Sequence, residues 1–130
     1  MPEEAARPLR VLVVDDVPDV GELFAMGLTM EGFDVTYACG GHEALELAQR
    51  DRFDIAILDL GMPDIDGYET GQRLRMIPSC TDMPLIALSG YGLESDRQKT
   101  RECGFGGHLV KPATLADVRD MIAALVSRVS

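Results

Sequence analysis

Five short apolar runs, each followed by a stretch of helical periodicity, constrain this chain more than any other feature of it. Arg10–Val14 is a continuous β-branched run, the pattern of a strand buried on both faces. Asp34–Ala38, Phe53–Leu58, Leu85–Leu88 and Gly107–Val110 are the other strand candidates. Between them the period lengthens to that of a helix. Pro18 marks a helix start, with Val20, Leu23, Phe24, Gly27 and Leu28 on one face and Gly32 as the stop. His42–Arg50 sets Ala44, Leu45 and Ala48 on one side, and Tyr68–Met76 and a weaker Leu93–Cys103 follow. Thr114 caps a last helix whose Leu115, Val118, Met121, Ile122 and Leu125 face inward. Such alternation implies an α/β fold with a parallel sheet covered on both faces. In sheets of that kind, working groups collect beyond the carboxyl ends of the strands.

The length of 130 residues suits a single domain with a self-sufficient core. We expect a polar tail over residues 1–8 and one folded domain over 9–128. The apolar runs are far shorter than a membrane span, and the first ten residues carry no secretory signal, so no membrane insertion is expected. Twelve basic against twenty-two acidic residues leave a formal charge of −10. That sign repels phosphate backbones, so no direct nucleic-acid binding is expected. It favours metal ions and partners with basic patches. Cys39, Cys80 and Cys103 form no paired spacing, which points to small core residues in a reducing, cytoplasmic setting.

Chemistry gathers at the strand ends. Asp15 and Asp16 follow the first run, Asp59 the third, Ser89 the fourth and Lys111 the fifth. Singly, Asp15 or Asp16 reads more readily as a helix cap and Asp59 as a loop residue. Together they bring three carboxylates, a hydroxyl and an ammonium to one edge. Three adjacent carboxylates repel one another unless a positive charge intervenes. A hard divalent cation with oxygen ligands answers that need, and Lys111 adds a point charge suited to phosphate. Those parts are the ones phosphoryl transfer requires.

The motifs carry a family resemblance. Val11-Leu12-Val13-Val14-Asp15-Asp16 is similar to the opening of response-regulator receiver domains, and Asp59-Leu60-Gly61-Met62-Pro63-Asp64-Ile65-Asp66-Gly67 resembles their phosphorylation loop. Ala87-Leu88-Ser89-Gly90 and Leu109-Val110-Lys111-Pro112 resemble the remaining two motifs, so the likeness spans residues 9 to 127. It implies a flavodoxin-like (βα)5 three-layer sandwich with a parallel five-stranded sheet in the order 2-1-3-4-5. It also implies Asp59 as phosphoacceptor, and Mg2+ or Mn2+ held directly by Asp16, Asp59 and the Gly61 carbonyl and by Asp15 through water. Ser89 and Lys111 would hold phosphoryl oxygens, and the Lys111-Pro112 bond would be cis. The implied donor is a histidine kinase or a histidine phosphotransfer protein, in a two-component system or phosphorelay. The implied role is signalling to an output domain or partner protein, with no enzymatic activity beyond the domain's own phosphorylation and dephosphorylation.

Two positions depart from the family pattern. The switch position, usually Tyr or Phe, is His108, as in receivers fused to hybrid histidine kinases; it reads either as a switch or as a surface residue. As a switch it would turn inward when Ser89 moves toward a phosphoryl group, with the response spread over residues 89–111. Gly106-Gly107 replaces a frequently acidic stretch, for which there is no account beyond a looser backbone. Two other readings compete: an Asp-dependent phosphohydrolase, and a degenerate receiver used only as a binding scaffold. Asp64-Ile65-Asp66-Gly67 mimics a dehalogenase-type motif, but it lies in a loop where that nucleophile would end a strand. Met62 breaks a calcium loop, and Gly104-Phe105-Gly106 precedes a strand where a dinucleotide loop would follow one.

Overall fold

The computed structural model describes residues 8–90 and 94–127. The expected helix start at Leu93, the loop at Tyr91-Gly92 and nearly all of the polar tail lie outside the described residues. The strands are β1 (Arg10–Val14), β2 (Asp34–Ala38), β3 (Ile55–Asp59), β4 (Leu85–Ser89) and β5 (Gly107–Val110). The helices are α1 (Pro18–Met30), α2 (Gly41–Arg50), α3 (Gly67–Arg75), α4 (Glu94–Glu102) and α5 (Leu115–Ser127), with a 3-10 turn at Pro78–Cys80. All pairings are parallel, in the order β2-β1-β3-β4-β5, as expected. None of the described helices is long and apolar enough to cross a membrane.

Alternate strand residues feed two cores. Leu12, Val14, Ala56, Leu58, Leu85 and Ala87 pack with Ala44, Ala48 and Leu74 of α2 and α3. Val11, Val13, Ile55, Ile57, Ile86 and Leu88 pack with Leu28 of α1 and with Val118, Ile122 and Leu125 of α5. The inward face expected for α5 is the one observed, with Leu115 and Met121 partly buried at its margin. Thr114 Oγ1 accepts from the Asp117 amide at 3.0 Å while Asp117 accepts from the Thr114 amide, a reciprocal cap.

Three expectations need correction. The third run begins to pair at Ile55, not Phe53. Phe53 is buried ahead of the ladder, under the Arg10 guanidinium, and Asp54 accepts from the Arg10 amide. On α1 the sheet-facing residues are Gly21 and Leu28 with Phe24 packed beside them, while Val20 is 38% and Leu23 69% exposed. The apolar band of α1 is wider than its contact, and Tyr37 decides which stripe docks. A Cβ on Gly21 would stand 2.2 Å from Tyr37 Cε1, so the ring can lie only over a glycine. Lastly, Cys80 and Cys103 are buried, but Cys39, beyond the end of β2, is exposed.

Candidate functional site

Asp15, Asp16, Asp59, Ser89 and Lys111 each stand at or just past a strand's carboxyl end, and His108 lies within β5. The Asp15 amide continues the ladder by donating to Ala38 O at 3.1 Å. Its Oδ1 accepts from the Val17 amide at 2.9 Å, a local Asx turn that aims the carboxylate across the sheet edge. Asp59 is the last residue of β3, pairs with Leu88, and is 5% exposed. Its Oδ1 accepts from the Gly61 amide at 3.1 Å, and its Oδ2 lies 3.1 Å from Lys111 Nζ. Asp15, half-buried Asp16 and Asp59 each bring a carboxylate oxygen within 4.8 Å of the others.

Two carboxylates about 5 Å apart repel by about 3 kcal/mol at an effective dielectric of 20, and one ammonium cannot offset three of them. Asp15 registers the strain. Burial pushes its carboxyl above the ordinary value, and Asp59 and Asp16 push the same way against the Val17 amide and Lys111. Asp15 Oδ2 is buried with no hydrogen-bond partner. An all-oxygen donor set with an orphaned anionic oxygen suits a hard divalent cation.

The other half of the site comes from β4 and β5. Ser89 is buried at the end of β4, and the Lys111 amide donates to its carbonyl at 2.7 Å. The Lys111-Pro112 bond is cis. Ser89 Oγ is 2.8 Å from His108 Nε2, so His108 is half-buried on the site and not splayed on the surface. Asp16, Asp59, Gly61, Tyr68, Ser89 and Lys111 line an open cleft of about 490 Å³.

Several supporting residues escaped the sequence reading. Tyr37 OH donates to Asp15 O at 2.6 Å and fixes that backbone. Asp64 reaches the amino end of α2, accepting from the amides of His42 at 3.1 Å and Gly41 at 3.4 Å. Against the upward pull of burial, the amides of His42, Ile65 and Gly41 hold its carboxyl below the ordinary value. Asp66 caps α3 by accepting from the Glu69 amide at 2.8 Å. A Cβ on Gly67 would meet Asp59 O at 2.6 Å and Leu60 Cα at 2.7 Å, so α3 starts against the backbone of Asp59 itself. The D-I-D-G run that mimics another motif is thus the clamp of the Asp59 loop. An aspartate directly before a helix and three residues ahead of Glu69 was the local signal for Asp66; nothing local marked Asp64 or Tyr37.

Comparison with known proteins agrees with this geometry. The pattern described as the response regulator receiver domain matches residues 11–123. The transcriptional regulatory protein PrrA of Mycobacterium tuberculosis is 40% identical over 119 residues, which are 92% of this chain and 50% of PrrA. The chain therefore spans about half the length of that relative. Among solved structures, chemotaxis protein CheY4 of Vibrio cholerae superposes with a TM-score of 0.89 at 29% identity, over 92% of this chain and 99% of that one. The receiver domain of sensor histidine kinase PA1611 from Pseudomonas aeruginosa, solved with magnesium coordinated in its active-site cleft, gives 0.84 at 26% identity, over 93% and 99%.

Proposed function

Because the chain belongs to the family of response regulator receiver domains, we propose that it accepts a phosphoryl group on Asp59 from a phosphohistidine donor. The observation that carries this reading is the buried Asp59 carboxylate, held between Lys111 Nζ and the Gly61 amide beside the Asp15–Asp16 pair. In the transfer the donor's phosphorus–nitrogen bond breaks, a phosphorus–oxygen bond to Asp59 forms, and the leaving imidazole takes up a proton.

A divalent ion, Mg2+ or Mn2+, suits the oxygens of Asp15, Asp16 and Asp59 with the Gly61 carbonyl, and supplies positive charge to offset the phosphoryl oxygens. The chain's own residues do the rest. The Gly61 amide and Lys111 orient the acceptor carboxylate. Lys111 Nζ then pairs with a phosphoryl oxygen, and the Ser89 hydroxyl donates to another. A loose phosphoryl transition state asks for little beyond such alignment and charge neutralisation.

The donor's approach is marked by α1. Val17, Val20, Leu23, Met26 and Met30 are all exposed, and Val17 also lines the acceptor cleft. An apolar stripe running from the acceptor suits the helices of a histidine kinase or histidine phosphotransfer protein. With a charge of −10, the chain acts on DNA only through another segment or a partner protein. The full set of Asp15, Asp16, Asp59, Ser89 and Lys111 argues against a mere scaffold.

Incubation with acetyl phosphate and Mg2+, followed by mass spectrometry, tests the reading. One phosphoryl group on the peptide that contains Asp59 is expected; modification elsewhere, or none, overturns it. Leu23→Glu should slow transfer from a phosphorylated protein donor and leave uptake from acetyl phosphate unchanged.

A further inference from the structure

The turn that carries Asp15 and Asp16 is held at three atoms. The Asp15 amide donates to Ala38 O at the end of β2, at 3.1 Å. Asp15 Oδ1 accepts at 2.9 Å from the amide of Val17, the residue that caps α1. The Asp15 carbonyl accepts from the Tyr37 hydroxyl at 2.6 Å. The first bond extends the ladder and the second stays within the turn. The third comes from a side chain 22 positions away. Tyr37 pairs with Val13 in the β1–β2 register, so its side chain runs forward to the end of β1. Its ring passes α1 at Gly21, where a Cβ would stand 2.2 Å from Tyr37 Cε1. That close contact with the helix limits where the phenol can go.

A peptide unit is planar, so the Asp15 carbonyl shares its plane with the amide and the Cα of Asp16. A hydrogen bond that fixes the direction of that carbonyl therefore fixes the base from which the Asp16 carboxylate reaches the site. Something must resist here. The carboxylate oxygens of Asp15, Asp16 and Asp59 lie within 4.8 Å of one another, and their repulsion favours any rotation of this peptide that parts them. The tyrosine hydroxyl opposes that rotation, and it does so without taking a carboxylate oxygen from a cation.

We propose that Tyr37 is a positioning residue for the divalent cation: by holding the Asp15 carbonyl, it keeps the Asp15–Asp16 peptide in the orientation that serves both carboxylates to the ion. On the reading of Asp59 as a Mg2+-dependent acceptor, on which this assignment rests, the hydroxyl sets how much metal the chain needs. It does not set how fast the loaded site reacts, because Lys111, Ser89 and the Gly61 amide are held by other elements.

Tyr37→Phe keeps the ring against α1 and removes only the donor. Titration of the full chain with MgCl2 alone, followed by NMR shifts of the amides of residues 15–17, reads metal affinity without any phosphoryl chemistry. The variant should raise the dissociation constant about five-fold, the worth of one ordinary hydrogen bond. Uptake from acetyl phosphate at stepped Mg2+ supplies the second readout: half-saturation should shift by the same factor, and the rate at saturating Mg2+ should match wild type. Ile122→Val, a cavity in the core beneath α5, serves as the control. It should lower the urea midpoint and leave Mg2+ affinity unchanged. Equal Mg2+ affinity in wild type and Tyr37→Phe overturns this inference alone. So does equal weakening by Ile122→Val, or a rate deficit in Tyr37→Phe that saturating Mg2+ does not relieve. A wild type that binds no Mg2+ or takes no phosphoryl group on Asp59 overturns the acceptor reading and this inference with it.

Discussion

Asp59 ends, and Asp15 directly follows, a strand buried almost throughout, whereas the His108 that grips Ser89 lies on β5 and Lys111 directly follows it, and the residues of β5 are all only half-buried. β1 and β3 have strand neighbours on both sides; β5 lies at the edge of the sheet. The difference separates two tasks. Mutually repelling carboxylates need a frame that cannot relax, and the packed centre supplies it. Groups that must respond to a new phosphoryl group need freedom to shift, and an edge strand with fewer neighbours supplies that.

Substitutions can break this contrast, and the largest effect belongs to the central strands. Asp59→Asn should abolish phosphoryl uptake while keeping the fold, because the shape is nearly unchanged. Ser89→Ala, which removes the hydroxyl beside His108 of β5, should only slow uptake, by about ten- to a hundred-fold, the value of a hydrogen bond to a charged group. Mass spectrometry after acetyl phosphate treatment checks both. Equal loss in the two variants would erase the distinction between a fixed and an adjustable half.

Gly67→Ala probes the rigidity of the Asp59 loop. The new methyl group meets backbone atoms of Asp59 and Leu60 that have no rotamer to retreat into. We expect a loss of about 1–3 kcal/mol in urea denaturation, together with slower phosphoryl uptake. A wild-type midpoint would mean that the loop yields more easily than its packing indicates.

Asp15 offers a pH test of the strained centre. Its folded pKa lies above the ordinary carboxylate value, so between the unfolded and folded pKa the native state binds more protons than the unfolded one. Metal-free stability should therefore fall as pH rises through that window. Asp15→Asn should flatten the slope and stabilise the metal-free protein above it. Chemical denaturation at stepped pH in the presence of a chelator measures this; an unchanged slope removes Asp15 as the source of strain.

Asp64 should give the smallest effect, with the opposite sign. Its folded pKa is depressed by the amides it caps, so its contribution is present above the unfolded pKa and lost as pH falls through the folded one. Asp64→Ala should cost about 0.5–1 kcal/mol at neutral pH, in the range of a lost helix cap. The cost should shrink on acidification, which thermal melts at neutral and acid pH can follow.

Asp15, Asp16, Asp59, Ser89 and Lys111 were legible in the sequence because each is the polar group that ends an apolar run or follows it directly. Run length and the first polar position after it are local properties, carried by period-two side-chain alternation and burial. The parallel layout followed from the same alternation of strand and helix patterns. The partners of those residues were not legible. Tyr37 reaches Asp15 across 22 positions, and Asp64 reaches His42 across 22. Val20 and Gly21 both lie on the apolar side of α1, but docking against Tyr37 admits only the glycine. His108 could serve as surface or switch until the register of β5 on β4 set its two nitrogens beside Ser89 and Thr100. A local pattern says which side of an element prefers to be buried; the neighbour's shape and the strand register decide what each side chain touches.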